Sequence, residues 1–361
     1  MSRMVVAPIV SVDDLRVRFT TPETVVYAVN GISFALEAGC VLGILGESGA
    51  GKSVTLRALI GLLPPRRSHV AGRIVVAGHE ITRMSERKLR EVRGTRIAMI
   101  FQEPMTALDP VFTIGEQIAE TIVRHEGISR SDAYRRALEL LEMVQIPSAS
   151  RRLKSYPHEM SGGMRQRAMI ALALSCRPAV LLADEPTTAL DVTVQIQIIV
   201  LLRQLQQDLG MAIVFVTHDV GVAVEVADRI AVMYAGRFVE TGPTEAVIRS
   251  PAHPYTAGLL ASTVLGAARG QRLEAIPGSP PDMSALPPGC SFVPRCRFAE
   301  FRCREAIPPD YALASDRTVR CLRVAAGEIE LPSGDSDRNI LVDQRRCTTA
   351  VGGVMTRSAG N

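Results

Sequence analysis

The sequence predicts an α/β fold in which buried strands alternate with helices. Three apolar runs, Val41–Leu45, residues 180–183 and residues 211–217, have the composition of strands covered on both faces. A glycine-rich loop joins the first of these strands to an apolar helical segment at residues 54–60. This order of strand, loop and helix is typical of a parallel sheet flanked by helices.

The glycine-rich loop at residues 46–53 matches the phosphate-binding pattern G-x-x-x-x-G-K-[ST]. In such a loop the backbone N–H groups form a nest for an anion, and the next helix adds the partial positive charge of its N-terminus. We expect Lys52 to reach the β- and γ-phosphates and Ser53 to bind Mg²⁺. A chance match in a glycine-rich turn is the alternative, but the strand and helix on either side argue against it. The nucleotide contacts predicted here are Gly46, Glu47, Ser48, Gly49, Ala50, Gly51, Lys52, Ser53 and Val54.

Polar residues at the ends of three other predicted strands are candidates for the chemistry. Gln102 follows a strand at residues 97–101 and could reach Mg²⁺ or the attacking water, because side chains at strand ends project into the crevice of an α/β sheet. Asp184 and Glu185 end a buried strand, where unpaired carboxylates are costly. Asp184 can hold Mg²⁺ through water, and Glu185 can deprotonate a water aligned with the γ-phosphate. His218 could contact the same phosphate. The alternatives are that His218 is structural, as a lone histidine more often is, and that Gln102 is only a polar surface residue.

Two further segments could contact the nucleotide. Residues 10–19 and 25–34 alternate apolar and polar residues, which predicts antiparallel strands beside the core. An aromatic ring from this region, Phe19 or Tyr27, could stack on the adenine, although core packing explains either residue equally well. A second phosphate site is predicted at Ser161, Gly162 and Gly163, which open a helix; a plain N-cap is the alternative.

Between Gln102 and Met164 the pattern changes to a helical period. A capping box, Thr113 and Glu116, begins one amphipathic helix, and a second follows up to Val144. This insertion of roughly 60 residues is too long for a simple connection between a strand and a helix. We therefore expect a separate helical subdomain with its own contact surface.

Composition limits the possible partners and compartments. The chain has 361 residues, enough for about two domains, and a net charge of +4, which gives little reason to expect nucleic acid as the main partner. No apolar run reaches the roughly 18 residues that span a bilayer, and the first eight residues are too poor in apolar side chains for a signal peptide. The nucleotide site therefore points to the cytoplasm, where seven cysteines argue against a disulfide framework. We assign no function to Cys347.

Taken in order, these motifs resemble those of the ATP-binding subunit of an ABC transporter, in the oligopeptide and dipeptide importer branch. The resemblance spans roughly residues 8 to 325. It matches residues 46–53 to Walker A, Gln102 to the Q-loop, residues 161–166 to the signature motif, residues 180–185 to Walker B, residues 189–191 to the D-loop and His218 to the switch histidine.

This resemblance implies a P-loop NTPase (RecA-like) core with an antiparallel β subdomain, an inserted α-helical subdomain and an irregular Cys-rich C-terminal extension. The ATPase domain would cover residues 8–260, with its helical subdomain at about 103–164. The extension would cover residues 261–330, and residues 331–361 would form a disordered tail.

The resemblance also implies a function. The chain would hydrolyse MgATP to power import of peptides through two membrane permease subunits, in a head-to-tail dimer with a second ATPase subunit. An extracytoplasmic substrate-binding protein would deliver the solute, and the chain would lie peripherally on the cytoplasmic face of the inner membrane, without a nucleic-acid partner. The alternatives are the ATPase of a nickel or other small-solute importer, and a soluble ABC-type ATPase acting on nucleic acid or ribosomes. A regulatory module without turnover is opposed by Glu185 and His218.

Four cysteines cluster near the C-terminus with the spacing C-x₅-C-x₆-C-x₁₇-C: Cys290, Cys296, Cys303 and Cys321. Their segment has too few apolar residues to form a core of its own. Four thiolates suit tetrahedral zinc or a [4Fe–4S] cluster. Zinc sites usually include one tight C-x₂₋₄-C pair, which is missing here, so the spacing favours the cluster, as does the resemblance. Zinc and free structural cysteines are the alternatives.

Overall fold

The computed structural model describes residues 7–188, 190–263, 275–314, 316–332 and Cys347. The strands are β1 Val10–Thr20, β2 Val25–Leu36, β3 Val41–Leu45, β4 Ser68–Val76, β5 His79–Glu80, β6 Ile97–Ile100, β7 Val180–Asp184, β8 Ala212–Thr217, β9 Arg229–Tyr234, β10 Arg237–Pro243, β11 Tyr311–Ala314 and β12 Arg317–Val319. The helices are α1 Lys52–Leu59, α2 Glu86–Val92, α3 Pro104–Ala107, α4 Ile114–Glu126, α5 Arg130–Met143, α6 Ala149–Arg152, α7 Gly162–Leu174, α8 Val192–Leu209, α9 Val220–Val226, α10 Thr244–Arg249, α11 Pro254–Ala261 and α12 Leu322–Ala325. None of these helices is long and apolar enough to cross a membrane.

The main sheet has eight strands in the order β11-β12-β10-β9-β3-β8-β7-β6. Five consecutive strands at one end of this order, β9, β3, β8, β7 and β6, are parallel. Leu45 pairs with Thr217, and Asp184 pairs with Val216, so these strands end at one edge. This register gathers the loop after β3, Glu185 after β7 and His218 after β8 at the same end of the sheet, as the sequence predicts.

A second sheet, of order β2-β1-β4-β5, packs beside the first. β1 and β2 are antiparallel, which confirms the pairing predicted from their alternating pattern. Their inward side chains, such as Leu15, Ile32 and Phe34, share one core with Leu42 and Ile44 of the main sheet. The small sheet is thereby fixed next to the phosphate-binding loop.

The predicted helical insertion is present as α3 to α6. Thr113 caps α4 and forms the predicted reciprocal capping box with Glu116. Ile114, Ile118 and Ile122, which recur at every fourth position of α4, are fully or almost fully buried. Ala133 and Ala137 of α5 have no exposed surface. These faces pack together because each helix places one apolar stripe against the other.

The C-terminal extension differs from the irregular segment expected from its Pro and Gly content. β12 adds to β10 through the pairs Glu240 with Val319 and Thr241 with Thr318, and β11 then pairs with β12. Without β11 and β12, β10 would be an edge strand with unpaired backbone groups. Because these groups bond to backbone atoms, short strands of almost any composition can pair with them. The tail predicted to be disordered lies outside the described residues, apart from residues 331–332 and Cys347.

One disulfide runs against the expectation drawn from the cysteine count. Cys40, just before β3, is bonded to Cys347, and the two Cα atoms lie 6.0 Å apart. The residues are 307 positions apart, so nothing local in the sequence signals the pair. A carboxylate oxygen of Asp228 and the two sulfurs lie within 4.8 Å of one another, a spacing that could suit a metal ion. Sulfurs paired in a disulfide, however, do not offer thiolate ligands.

Candidate functional site

A cavity of about 670 Å³ opens at the carboxyl edge of the central strands. Its lining combines the glycine-rich loop, the polar residues at the strand ends, the start of β2 and parts of the C-terminal region. The lining residues are Val26, Ala28, Gly46, Glu47, Ser48, Gly49, Gly51, Lys52, Ser53, Val54, Gln102, Glu185, Thr188, His218, Leu259, Ser262 and Met283.

The loop at residues 46–53 has the geometry of a phosphate cradle. Gly51 has φ 106°, and a Cβ atom there would lie 2.3 Å from the carbonyl oxygen of Ala28, so only glycine fits. Lys52 is 5% exposed and donates hydrogen bonds to the carbonyl oxygens of Gly46 at 2.8 Å and Glu47 at 3.0 Å. Its ammonium group therefore lies across the mouth of the loop. Burial lowers the pKa of Lys52, and the nearby carboxylate of Glu185 partly offsets this.

Ser53 and Asp184 form the candidate Mg²⁺ site. The Ser53 hydroxyl donates a hydrogen bond of 2.7 Å to Oδ1 of Asp184. Asp184 is 2% exposed, and this burial raises the pKa of its carboxyl. Oxygen ligands of this kind, a hydroxyl and a carboxylate, suit Mg²⁺, and a divalent cation would offset the cost of burying the charge. Gln102 lines the same cavity and can add an amide oxygen.

Glu185 is held in place from several sides. Its Oε2 atom accepts a hydrogen bond of 3.1 Å from the Thr188 hydroxyl and lies 3.0 Å from Nδ1 of His218. Its Oε1 atom is 3.6 Å from the Lys52 ammonium. The backbone at Glu185 has φ 45°, a left-handed conformation that is uncommon for this residue type and concentrates at functional sites. The carboxylate is thus oriented into the cavity, where a general base would have to lie.

Several predicted contacts lie away from this cavity. Phe19 packs partly buried against the core of the smaller sheet, and Tyr27 is 41% exposed; neither lines the cavity, whereas Val26 and Ala28 do. The stacking role of Phe19 or Tyr27 stays a prediction.

The signature residues Ser161, Gly162 and Gly163 also lie outside the lining. Ser161 is the N-cap of α7, and its hydroxyl accepts a hydrogen bond of 3.4 Å from the Met164 amide. Within the D-loop motif, Ala189 lies outside the described residues, and Asp191 caps α8.

Sequence reasoning missed the contribution of the C-terminal region to this site. Met283, Leu259 and Ser262 line the cavity, and the carbonyl of Met283 accepts a hydrogen bond of 2.9 Å from the Tyr27 amide. The hydroxyl of Tyr255 accepts a hydrogen bond of 3.0 Å from the Glu47 amide. In the sequence, the only available signal of this contribution was the segment His253-Pro254-Tyr255-Thr256. In the structure, Tyr255 of this segment is fully buried.

The four cysteines of the extension come together as predicted from their spacing. Cys290, Cys296, Cys303 and Cys321 line one small pocket with Phe292, Val293, Phe298 and Leu322 among its walls. Burial raises the pKa of the Cys290 thiol to about 11, with the other three sulfurs as secondary causes. Within the described residues, no three of these sulfurs lie within 4.8 Å of one another.

Fold and site together define a P-loop ATPase of the ABC type, and comparisons with known proteins agree. The ABC transporter family model matches residues 29–188, and the model of the oligopeptide/dipeptide transporter C-terminal region matches residues 239–303. The chain is 47% identical to the oligopeptide transport ATP-binding protein OppD of Salmonella typhimurium, over 87% of this chain and 93% of that protein. It is 45% identical to the dipeptide transport ATP-binding protein DppD of Bacillus subtilis, over 91% and 98%, and 48% identical to a putative peptide import ATP-binding protein of Brucella abortus, over 88% and 97%.

Among solved structures, the dimeric ATP-binding cassette MJ0796 bound to ADP and Pi superposes with a TM-score of 0.59 at 28% identity, covering 65% of this chain and 98% of that one. The chain belongs to the ABC transporter ATP-binding subunits that carry the oligopeptide/dipeptide transporter C-terminal region.

Proposed function

We propose that this chain is the ATP-hydrolysing subunit that powers import of di- or oligopeptides through a membrane permease. The observation that carries the proposal is the convergence of Lys52, Ser53, Glu185 and His218 on one cavity at the edge of the parallel sheet. Asp184 is joined to this cavity by its hydrogen bond with Ser53. Its relatives named for peptide import match over nearly their whole length, including the C-terminal region, which supports peptides rather than nickel as the cargo.

In this proposal the loop at residues 46–53 and Lys52 hold the phosphates of ATP. Ser53, Asp184 and Gln102 would hold Mg²⁺, which would supply positive charge next to the phosphate oxygens. Glu185 accepts a proton from the attacking water. The water oxygen bonds to the γ-phosphorus as the bond to the β-γ bridging oxygen breaks, which gives ADP and phosphate. His218 and Thr188 hold Glu185 in line, and Phe19 or Tyr27 would stack on the adenine.

The position of the signature residues supports a second ATPase subunit. Ser161, Gly162 and Gly163 lie outside the cavity of their own chain, and the exposed N-terminus of α7 can bind a phosphate of another. We propose a head-to-tail dimer in which each signature motif completes the site of the partner. The dimer would bind two permease subunits at the cytoplasmic face of the inner membrane, with a substrate-binding protein acting on the far side.

The extension would hold a [4Fe–4S] cluster through Cys290, Cys296, Cys303 and Cys321. Four soft thiol donors around one pocket support this assignment, and the missing tight C-x₂₋₄-C pair in the sequence favours the cluster over zinc. The cluster would have a structural role, because the segment around these cysteines has too few apolar residues to form a core of its own.

Reconstitution tests the transport function. The chain is expressed with the permease subunits and the binding protein, and uptake of a radiolabelled tripeptide into proteoliposomes is measured with and without MgATP. We expect uptake that requires ATP and is lost with Lys52→Ala. Copurification of the chain from membranes with no permease subunit, or with ribosomes, would refute the proposal.

A further inference from the structure

An arginine of the C-terminal extension is built into the phosphate-binding loop. Arg295 is 8% exposed, and its guanidinium forms two parallel hydrogen bonds to the Glu47 carboxylate, of 2.8 Å and 3.0 Å. The two residues are 248 positions apart. Paired, planar contacts of this kind fix orientation as well as adding energy. The second residue of the loop is thus held by a segment outside the ATPase core.

The remaining donors of Arg295 attach the guanidinium both to the C-terminal extension and to the main sheet. Its Nε atom donates to the carbonyl of Pro277 at 2.9 Å, and one Nη atom lies 3.4 Å from the hydroxyl of Tyr234, which ends β9. The charge also lies 5.8 Å from the centre of the Tyr234 ring. Arg295 therefore has little freedom to move without also moving Glu47.

Glu47 in turn positions the loop. Its carbonyl accepts a hydrogen bond from the Lys52 ammonium at 3.0 Å, and its amide donates one to Tyr255 at 3.0 Å. A shift of Glu47 would displace the ammonium that must reach the phosphates. The contacts run in an unbroken line from Arg295 through Glu47 to Lys52.

The other end of this line is the four-cysteine pocket. Arg295 ends a short 3₁₀ turn, Val293–Arg295, that lies directly between Cys290 and Cys296. Phe292, at the start of the turn, packs edge-on against Tyr234 and Tyr255, at 5.3 Å and 5.4 Å between ring centres. Because Cys290 and Cys296 flank the turn, a group bound to both sulfurs would restrain the turn and, with it, the guanidinium.

We propose that Arg295 is a positioning residue that couples occupancy of the four-cysteine site to the affinity of the phosphate-binding loop for MgATP. The inference rests on the proposed cluster. Occupied cysteines fix the turn, Arg295 holds Glu47, and the loop keeps the shape that binds phosphates. When the cysteines are empty the turn is released, and the loop binds ATP more weakly.

The test measures nucleotide binding by the full chain, not turnover. The dissociation constant of a fluorescent, non-hydrolysable ATP analogue is determined with Mg²⁺ for anaerobically purified protein, before and after removal of the metal by a chelator. We expect Arg295→Gln to raise the dissociation constant about 5- to 100-fold, the usual range for coupled sites. Arg295→Lys should fall in between, because it keeps the charge but not the paired contacts.

Arg302→Gln is the matched control. Arg302 lies in the same extension and pairs with Glu300 and Glu328, but it is 54% exposed and does not contact the loop, so it should leave binding unchanged. If Arg295→Gln does not fold, Glu47→Gln breaks the same pair from the other side. Because Glu47 itself lines the cavity, the informative readout for this variant is whether metal removal still weakens its binding, and loss of that dependence supports the proposal.

Metal removal tests whether Arg295 couples the four-cysteine site to ATP binding or only stabilises the fold. Chelation should weaken binding by the wild-type chain but change Arg295→Gln by less than about two-fold, because the line of contacts is already broken. Fully additive effects, or Arg295→Gln binding as tightly as wild type at an equal melting temperature, would overturn the proposal. Metal analysis separates the two failures: a chain without metal refutes the cluster, while a loaded chain insensitive to Arg295→Gln refutes only the coupling.

Discussion

Ser53 and Asp184, which are 131 positions apart, are joined by a hydrogen bond of 2.7 Å from the hydroxyl to the carboxylate. The pairing follows from sheet order, because β3 and β7 both neighbour β8 and end at the same edge. A carboxylate this deeply buried needs a cation or several donors to remain charged. The pair is therefore a more specific candidate for the Mg²⁺ site than the loop motif alone.

Asp184→Asn should weaken Mg²⁺ binding without unfolding the protein, because the amide keeps the shape and can still accept the bond from Ser53. We expect the Mg²⁺ concentration for half-maximal ATPase activity to rise about 10- to 100-fold, the usual effect of losing an outer-sphere partner. A Mg²⁺ titration of ATPase rate measures this. Asp208→Asn, an exposed position on α8, is the control, and a Mg²⁺ requirement unchanged in Asp184→Asn would remove Asp184 from the metal site.

Glu185→Gln should strongly reduce turnover while keeping ATP binding. The amide retains the size of the side chain and can hydrogen bond to Thr188, but it cannot accept the proton of the attacking water. Turnover should fall by roughly 10²- to 10⁴-fold, the value of a positioned general base. Steady-state ATPase assays and equilibrium nucleotide binding give the two quantities.

The exposed Glu142 on α5 provides a matched control, as Glu142→Gln removes the same charge far from the cavity. An ATPase rate of Glu185→Gln within a factor of two of wild type would refute the assignment. His218→Ala should lower turnover less than Glu185→Gln, because Thr188 still orients the carboxylate.

Sequence patterns predicted the features whose signals are local. The loop at residues 46–53, the strand ends at Asp184 and His218 and the capping box at Thr113 all depend on neighbours within a few positions, and all lie where expected. The pairs Glu47 with Arg295 and Cys40 with Cys347 depend on the folded path of the chain. No periodicity encodes such distant contacts.

The C-terminal region was harder to predict for a related reason. β11 and β12 have four and three residues, too short for an alternating pattern to stand out, and they are specified by the free edge of β10. Met283 reaches the nucleotide cavity through its backbone bond to Tyr27, a contact that any residue type could make. Val26, Ala28 and Met283 line the cavity, and the stacking of Phe19 or Tyr27 on the adenine stays a prediction.

The helical insertion should dock onto the permease subunits. Just before α4, Val111 and Phe112 are 70% and 48% exposed, which leaves apolar surface uncovered in the described chain. A single cysteine introduced at the exposed position Glu120 on α4 should cross-link to the permease, with an efficiency that changes when ATP is bound. Mass spectrometry of the cross-linked peptides, with and without ATP, measures the cross-linked site and the change in efficiency.

Arg83→Cys supplies the control for that experiment, because the position is 85% exposed but lies beside the smaller sheet. It should give few or no cross-links to the permease. Cross-links formed from the C-terminal tail but not from residues 113–144 would show that the docking surface has been misassigned.

Anaerobically purified protein should be brown and contain about four iron and four sulfide ions per chain, because Cys290, Cys296, Cys303 and Cys321 supply the Cys₄ ligation that a [4Fe–4S] cluster takes. Metal analysis and visible absorption measure this. Cys303→Ala should lose the iron, whereas Cys176→Ala should keep it, since Cys176 is a free, buried cysteine outside the pocket. Loss of the cluster should also lower the melting temperature, because the segment around the pocket depends on it for cohesion. A colourless protein with one zinc ion, or with no metal, would exclude the cluster and leave zinc or free thiols as the explanation of the spacing.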